Sequence, residues 1–319
     1  MQQPTSLPLP LPRLRLAGRV GAAFFLDLVA LGRGPLDLLD SLILIAIVQA
    51  NVSTLTRDPD VAVTYADYDA VPPDDLRRRV SVSAIAHSLR LPYETVRRRV
   101  ARLAGFGALV TTPTGVYVPG VLLHSPAHRD NTLASYAAVR DFYYRMRDLG
   151  VATGLPRPDR AAAAAPPVPV RAVVRIVSDF ALRTVDLLTA HVGDLVRGLI
   201  FLTVLRCNTE HLPDEESGTD DDGAAGFVSD GLRRPVRFVT ISERLGLPEE
   251  TVRRHANKLV KDGLCVRQAE GLVAPAAVLA RPAFQQFMTD NQMNIRRMFE
   301  AMARLGVVAE WDRMAAESA

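Results

Sequence analysis

Residues 241–267 read ISERLGLPEETVRRHANKLVKDGLCVR, and residues 85–111 read IAHSLRLPYETVRRRVARLAGFGALVT. In the earlier stretch Ile85, Ala86 and Leu89 are spaced as one face of a short amphipathic helix, and Arg90, Leu91 and Pro92 form a turn. A second helix is expected from about 92 to 104, with Pro92 suited to its first position. At roughly 100° per residue, Val96, Val100 and Leu103 share a narrow arc that must pack inward. Glu94, Arg98, Ala101 and Arg102 point the opposite way, with Thr95 and Arg97 on the shoulders. In the later stretch Val252, Ala256 and Leu259 face inward, Glu250, Arg254, Asn257 and Lys258 face outward, and Thr251 and Arg253 flank them. A short hairpin with a glycine at its tip, Gly115 or Gly271, is expected after each second helix.

The likeness of the two stretches extends well beyond them. Residues 76–151 align with 232–307 at a constant offset of 156 without a gap, and about a third of the positions are identical. Leu76/Leu232, Arg77/Arg233, Val80/Val236, Ile85/Ile241 and Leu91/Leu247 match, as do the runs 94–98 and 250–254 and the endings 149–151 and 305–307. Upstream, after a shift of one residue, Asp37, Leu38 and Asn51 correspond to Asp194, Leu195 and Asn208 along two apolar segments. The expected organisation is a Pro-rich extended tail (1–17), a first unit (18–151), an Ala/Pro linker (152–171), a second unit (172–308) and a C-terminal tail (309–319). Each unit opens with a scaffold helix, apolar all round and buried, at about 36–55 in the first copy. Each closes with a long helix, about 131–149 and 283–305, expected to pack against the scaffold helix of its own unit or to serve as a dimerisation face. The cluster Tyr136, Phe142, Tyr143 and Tyr144 reads as ordinary core and surface aromatics, or as the wall of a ligand pocket.

An arginine-bearing helix held by an apolar stripe has the geometry required to enter a DNA major groove. Arg pairs bidentately with guanine, Asn with adenine, and Glu accepts from cytosine. The candidate DNA-binding residues are Tyr93, Glu94, Thr95, Arg97, Arg98 and Arg102 in the first copy. In the second they are Glu249, Glu250, Thr251, Arg253, Arg254, Asn257 and Lys258, with Arg267 on the hairpin within reach of a phosphate. Arg99 and His255 lie nearer the packed edge, as phosphate contacts or structural residues. Charge is concentrated accordingly: residues 76–102 hold eight arginines against Glu94, a balance of +7, and residues 232–258 hold six arginines and Lys258 against three glutamates, a balance of +4. A solvated basic face is the plainer alternative, but the arginine pair recurs at the same place in both copies.

The two stretches resemble the DNA-binding module of bacterial winged helix-turn-helix regulators of the broad IclR, MarR and GntR kind. The resemblance covers about 40 residues of each copy and does not extend to the effector domain that follows the module in IclR- and GntR-type regulators. It implies sequence-specific binding to double-stranded DNA and control of transcription. The expected fold is mainly α with small β-hairpin wings, two tandem winged helix-turn-helix units related by internal duplication. An intramolecular pseudo-dimer would address two unlike half-sites roughly 34 Å apart, whereas a homodimer would require a longer site. A plasmid-type replication initiator with two winged-helix units and a winged-helix protein-interaction scaffold are the alternatives.

Composition restricts the other classes. The chain has 319 residues, a net charge of +3 and two cysteines, Cys207 and Cys265, without metal-ligand spacing. The six histidines show no ligand pattern, and there is no phosphate-binding glycine loop or nucleophile motif, so neither enzyme activity nor a cofactor is expected. No apolar run approaches the roughly 20 residues of a membrane span, and the N-terminus lacks the pattern of a signal peptide. A cytoplasmic, nucleoid-associated protein is expected, with any small-molecule effector left open. The acidic run 214–222 reads as a solvated loop rather than a metal site.

Overall fold

The computed structural model describes residues 9–31, 33, 36–56, 59–158, 169–214 and 227–317. The fold is mainly helical with two short antiparallel hairpins. The linker run 161–165 and most of the acidic run, 215–222, lie outside the described residues. Helix α1 spans Leu11–Ala30, so it begins inside the stretch expected to be an extended tail. Proline is compatible with a first helical turn, where no intrahelical N–H partner is required. Pro10 stands at the N-cap and Pro12 follows in the first turn. Helix α2, Leu38–Val52, is the buried scaffold expected from its composition, capped by the Asp37 carboxylate, which accepts from Asp40 N at 2.9 Å. A short helix α3 covers Pro59–Thr64.

The central elements follow in the expected order: α4 Val82–Ser88, α5 Tyr93–Gly105, β1 Val110–Thr112, β2 Gly115–Tyr117, α6 Gly120–Leu123 and α7 Pro126–Asp148. Pro92 is the N-cap of α5 rather than its first helical residue. The second half runs through α8 Val170–Val192, α9 Leu195–Thr209, α10 Phe238–Leu245, α11 Glu249–Lys261, β3 Val266–Gln268, β4 Gly271–Val273, α12 Ala276–Leu279, α13 Pro282–Arg304 and α14 Val307–Glu317. The hairpins pair in matching register, Val110 with Tyr117 and Val266 with Val273. A bridge from Val80 to Val116, and from Val236 to Leu272, adds a third short edge to each. The bridge runs so close to Gly115, at φ +136°, that a Cβ there would lie 2.6 Å from Val80 O, so the position admits only glycine.

Each hairpin is fastened to its scaffold helix by one buried asparagine. Asn51 Nδ2 donates to Arg78 O (2.7 Å) and Val116 O (3.3 Å), and its Oδ1 accepts from Val118 N (3.0 Å). Asn208 makes the same three contacts with Arg234 O, Leu272 O and Ala274 N. Arg77 and Arg233, counted in the charge balance above, are also structural. Arg77 is 2 % exposed, donates to Pro72 O and pairs with Asp74; Arg233 treats Val228 O and Asp230 alike. Asp74 and Asp230 in turn accept from Gly120 N and Ala276 N.

The first helix of each half bridges both halves: α1 packs on α9 and α13 as well as on α2 and α7, and α8 packs on α2 and α7 as well as on α9 and α13. The long closing helices therefore lie along α1 and α8 rather than mainly along the scaffold helix of their own half. Where the four helices meet, Phe24 of α1 stacks on Phe142 of α7 at 4.0 Å and approaches Phe180 of α8 at 6.0 Å, while Phe142 meets Phe299 of α13 at 5.7 Å. One hydrophobic cluster runs through both halves.

The segment expected as a C-terminal tail is instead mostly α14, whose Trp311 is fully buried against α7. Trp311 Nε1 donates to Tyr136 Oη (2.8 Å), Tyr144 Oη donates to Trp311 O (2.7 Å), and Tyr143 Oη donates to the Asp312 carboxylate (3.1 Å). The tyrosine cluster is thus a docking face for the end of the chain. No single helix among the described residues is long and apolar enough to cross a membrane.

Candidate nucleic-acid interface

Helices α5 and α11 are built alike. Val96, Val100 and Leu103 are buried under α5, and Val252, Ala256 and Leu259 under α11. Glu94, Arg97, Arg98, Ala101, Glu249, Glu250, Arg253, Arg254, Asn257 and Lys258 are exposed, as is Tyr93, at 54 %. Thr95 and Thr251 are half-buried on the shoulders. The turn before α5 places Arg90 in the left-handed region at φ 50°, and before α11 the equivalent residue is Gly246 at φ 69°.

The outward arginines are lightly held. Arg97 forms a two-pronged pair with Glu94 (2.8 and 2.7 Å), and this bond draws the glutamate's pKa down. Arg253 forms a close ion pair with Glu250. Both pairs are exposed and three residues apart, the class of ion pair with little net stability, so a phosphate or base edge can replace the carboxylate. Arg98 is held only by Glu94 O at 3.5 Å, and Arg254 and Lys258 have no acidic partner among the described residues.

Arg99 and Arg102 are held differently. Arg99 Nη1 lies 2.7 Å from both Asp37 Oδ2 and Asp40 Oδ1, and Arg102 pairs closely with Asp40 and at 3.4 Å with Asp37. Arg99 is thus structural, and Arg102, although its side chain is 46 % exposed, has its charge met by a buried carboxylate pair. In the second half Asp194 faces Arg197 (2.6 Å), and Arg197 reaches Asp262 at 2.7 Å. Burial would push the Asp194 pKa up, but the neighbouring His255 ring and the hydrogen bonds from Arg197 hold it at about 2. His255 Nδ1 lies 3.6 Å from Asp194 Oδ1, beyond hydrogen-bond reach.

On the hairpins, Arg267 is exposed with its guanidinium 5.1 Å above the Phe238 ring, while the first hairpin offers Thr111 and Thr114 at its surface. Two exposed cations lie near the second face and were absent from the candidate set: Arg237, just before α10, and Lys261, in the last turn of α11. Their only signal in the sequence is charge. Arg79, by contrast, is turned onto Tyr117 at 3.7 Å and donates to Asp74 O and Arg77 O.

The described residues contain no group of His, Cys, Asp and Glu arranged to hold a metal ion. Both cysteines are buried, and burial pushes the Cys265 thiol up to about 12. Asp214, at the start of the acidic run, is tied to Arg19 of α1 and Arg145 of α7. Compared with protein-family models, curated proteins and solved structures, the chain matches none of them.

Proposed function

We propose that the protein is a sequence-specific double-stranded DNA-binding regulator of transcription, built as two tandem winged helix-turn-helix units related by internal duplication, with α5 and α11 as recognition helices. The observation that carries this reading is the repeated outward arginine pair, Arg97–Arg98 and Arg253–Arg254, exposed on helices whose undersides are buried. Matching hairpin register and the paired Asn51 and Asn208 clamps support a common origin for the halves. The packing of α1 and α8 across both halves supports an intramolecular pseudo-dimer as the binding unit. Because Tyr93, Ala101 and Arg102 stand opposite Glu249, Asn257 and Lys258, the two half-sites should differ, giving a non-palindromic site for one chain.

Selection of binding sites from a random duplex pool tests this reading. One asymmetric motif with two parts is expected. Arg97→Ala with Arg98→Ala should relax one part, and Arg253→Ala with Arg254→Ala the other, each lost guanine contact costing about 1–3 kcal/mol. If no duplex binds in a salt-sensitive way, or both double variants retain affinity and motif, the reading fails.

A further inference from the structure

A cleft of about 710 Å³ opens between α2, α3, α8 and α13, a size within the range of small-molecule sites. Much of its lining is aliphatic. Ala50 of α2, Val63 of α3, Ile176 and Leu182 of α8 and Leu305 after α13 all line it, and each is half-buried. Side chains left partly in water in this way gain by covering the apolar body of a ligand.

The charge in the same cleft is unbalanced. Among the described residues Arg175, Arg183, Arg297 and Arg304 line it together with a single acid, Asp179. That acid is already engaged, because Arg183 donates to it through Nε and Nη2 at 2.9 and 2.7 Å. Arg297 and Arg304 stand about two turns apart on α13, exposed and without an acidic partner among the described residues. Glu300, between them in the chain, pairs instead with Arg296 at 3.0 Å.

Arg175 is half-buried and has no carboxylate among the described residues to offset its charge. Burial, and then repulsion from Arg171, lowers its pKa to about 10. Its backbone is fixed, since Gln49 Nε2 of α2 donates to Arg175 O at 2.9 Å. The guanidinium is held only through Nη2, which makes a long hydrogen bond of 3.3 Å to Ala62 O. Nε and Nη1 bond to none of the described residues, and neither nitrogen is sealed from solvent. A charge withdrawn from water without a counter-charge carries a cost that an arriving anion would relieve. Arg297 and Arg304 add a positive potential that would draw such an anion in.

We propose that this cleft binds a singly charged organic acid with an aliphatic body, its carboxylate accepting from Arg175 and its body lying on the apolar lining. The assignment stands whether or not the chain binds DNA. Calorimetric titration of the full chain with decanoate and with decanol near neutral pH tests it. The two probes share an aliphatic body, and only decanoate carries a charge. Decanoate should bind roughly ten- to hundredfold more tightly, the margin of a charged hydrogen bond. Arg175→Met keeps an unbranched side chain without the charge. It should lower decanoate affinity about tenfold or more and leave decanol unchanged. Absence of decanoate binding, equal affinities for the two probes, or full decanoate affinity in Arg175→Met overturns the assignment. Crystals of the native protein soaked with 10-bromodecanoate provide a test independent of the variant's folding. The carboxylate is expected within hydrogen-bond reach of Arg175, and the bromine between α2, α8 and α13. A molecule bound elsewhere, or none at all, overturns the proposal.

Discussion

Helices α5 and α11 share a run of five identical residues, yet their outer charge is held differently. Under α5, the buried carboxylates of Asp37 and Asp40 engage Arg99 and Arg102. Under α11, the start of α9 carries Asp194 and Arg197, which satisfy one another, and Lys258 has no acidic partner among the described residues. The residue below the helix thus sets how much positive charge remains free above it. Replacing a carboxylate by an arginine at the scaffold start releases a cation on the helix outside. Two helices with a shared five-residue core therefore present different electrostatic faces, set by positions 99 and 102 against 255 and 258 and by the scaffold residues beneath them.

Several measurements can break or sharpen this comparison. The largest expected effect lies where the halves agree. Asn51→Leu leaves Arg78 O and Val118 N without the asparagine, and Asn208→Leu leaves Arg234 O and Ala274 N so, and each should lower stability by about 2–4 kcal/mol in denaturant unfolding. If only one of them does so, the two hairpins are not held by a common device. Next, Asp40→Asn should cost about 2 kcal/mol, because Asp37 still partly compensates the two arginines. Arg197→Ala should cost about half as much, its partners being more exposed.

The same comparison separates the two candidate interfaces. Lys258→Ala should flatten the salt dependence of duplex binding by about one unit of slope, and Arg102→Ala by clearly less, since its charge is already met. Equal slopes for the two variants would contradict the comparison.

Smaller effects are expected at the turn and at one histidine. Arg90→Gly should stabilise by about 1 kcal/mol, since glycine adopts the left-handed region without penalty, as Gly246 does in the second half. Where the second half has Phe284, the first has His128, whose pKa is lowered to about 4 by burial and then by Arg171 and Arg77. The unfolded chain takes up that proton near 6.5 and the folded chain only near 4, so this group makes stability fall as pH drops across that window. Comparing pH scans of the native chain and His128→Phe should reveal a modest flattening in the variant, and an unchanged slope would remove His128 from the account.

Much of the local fold was legible. The apolar spacing of Val96, Val100 and Leu103 marks the buried face of α5, and Gly115 marks a hairpin tip because no Cβ fits against Val80. The inward and outward faces of both helices follow from periodicity alone. α1 was missed because its prolines suggested an extended tail, although proline is compatible with a first turn. α14 was missed because its apolar content rests mainly on Val307, Val308 and Trp311, too few to declare a helix without the tyrosine face that receives it. The full charge count could not separate Arg77, buried against Pro72 O, from Arg98, exposed to solvent.

By itself the sequence determined the central helices, the hairpins and which face of α5 and of α11 turns inward, because these depend on neighbours within a few residues. Only the tertiary structure decided that α1 and α8 bridge both halves, that Trp311 closes on α7, and that Asp40 engages Arg102 while Lys258 lacks such a partner among the described residues. Periodicity records that a face is buried but not against what. An ion pair joining residues 62 apart depends on how two helices meet, not on the order of residues along either.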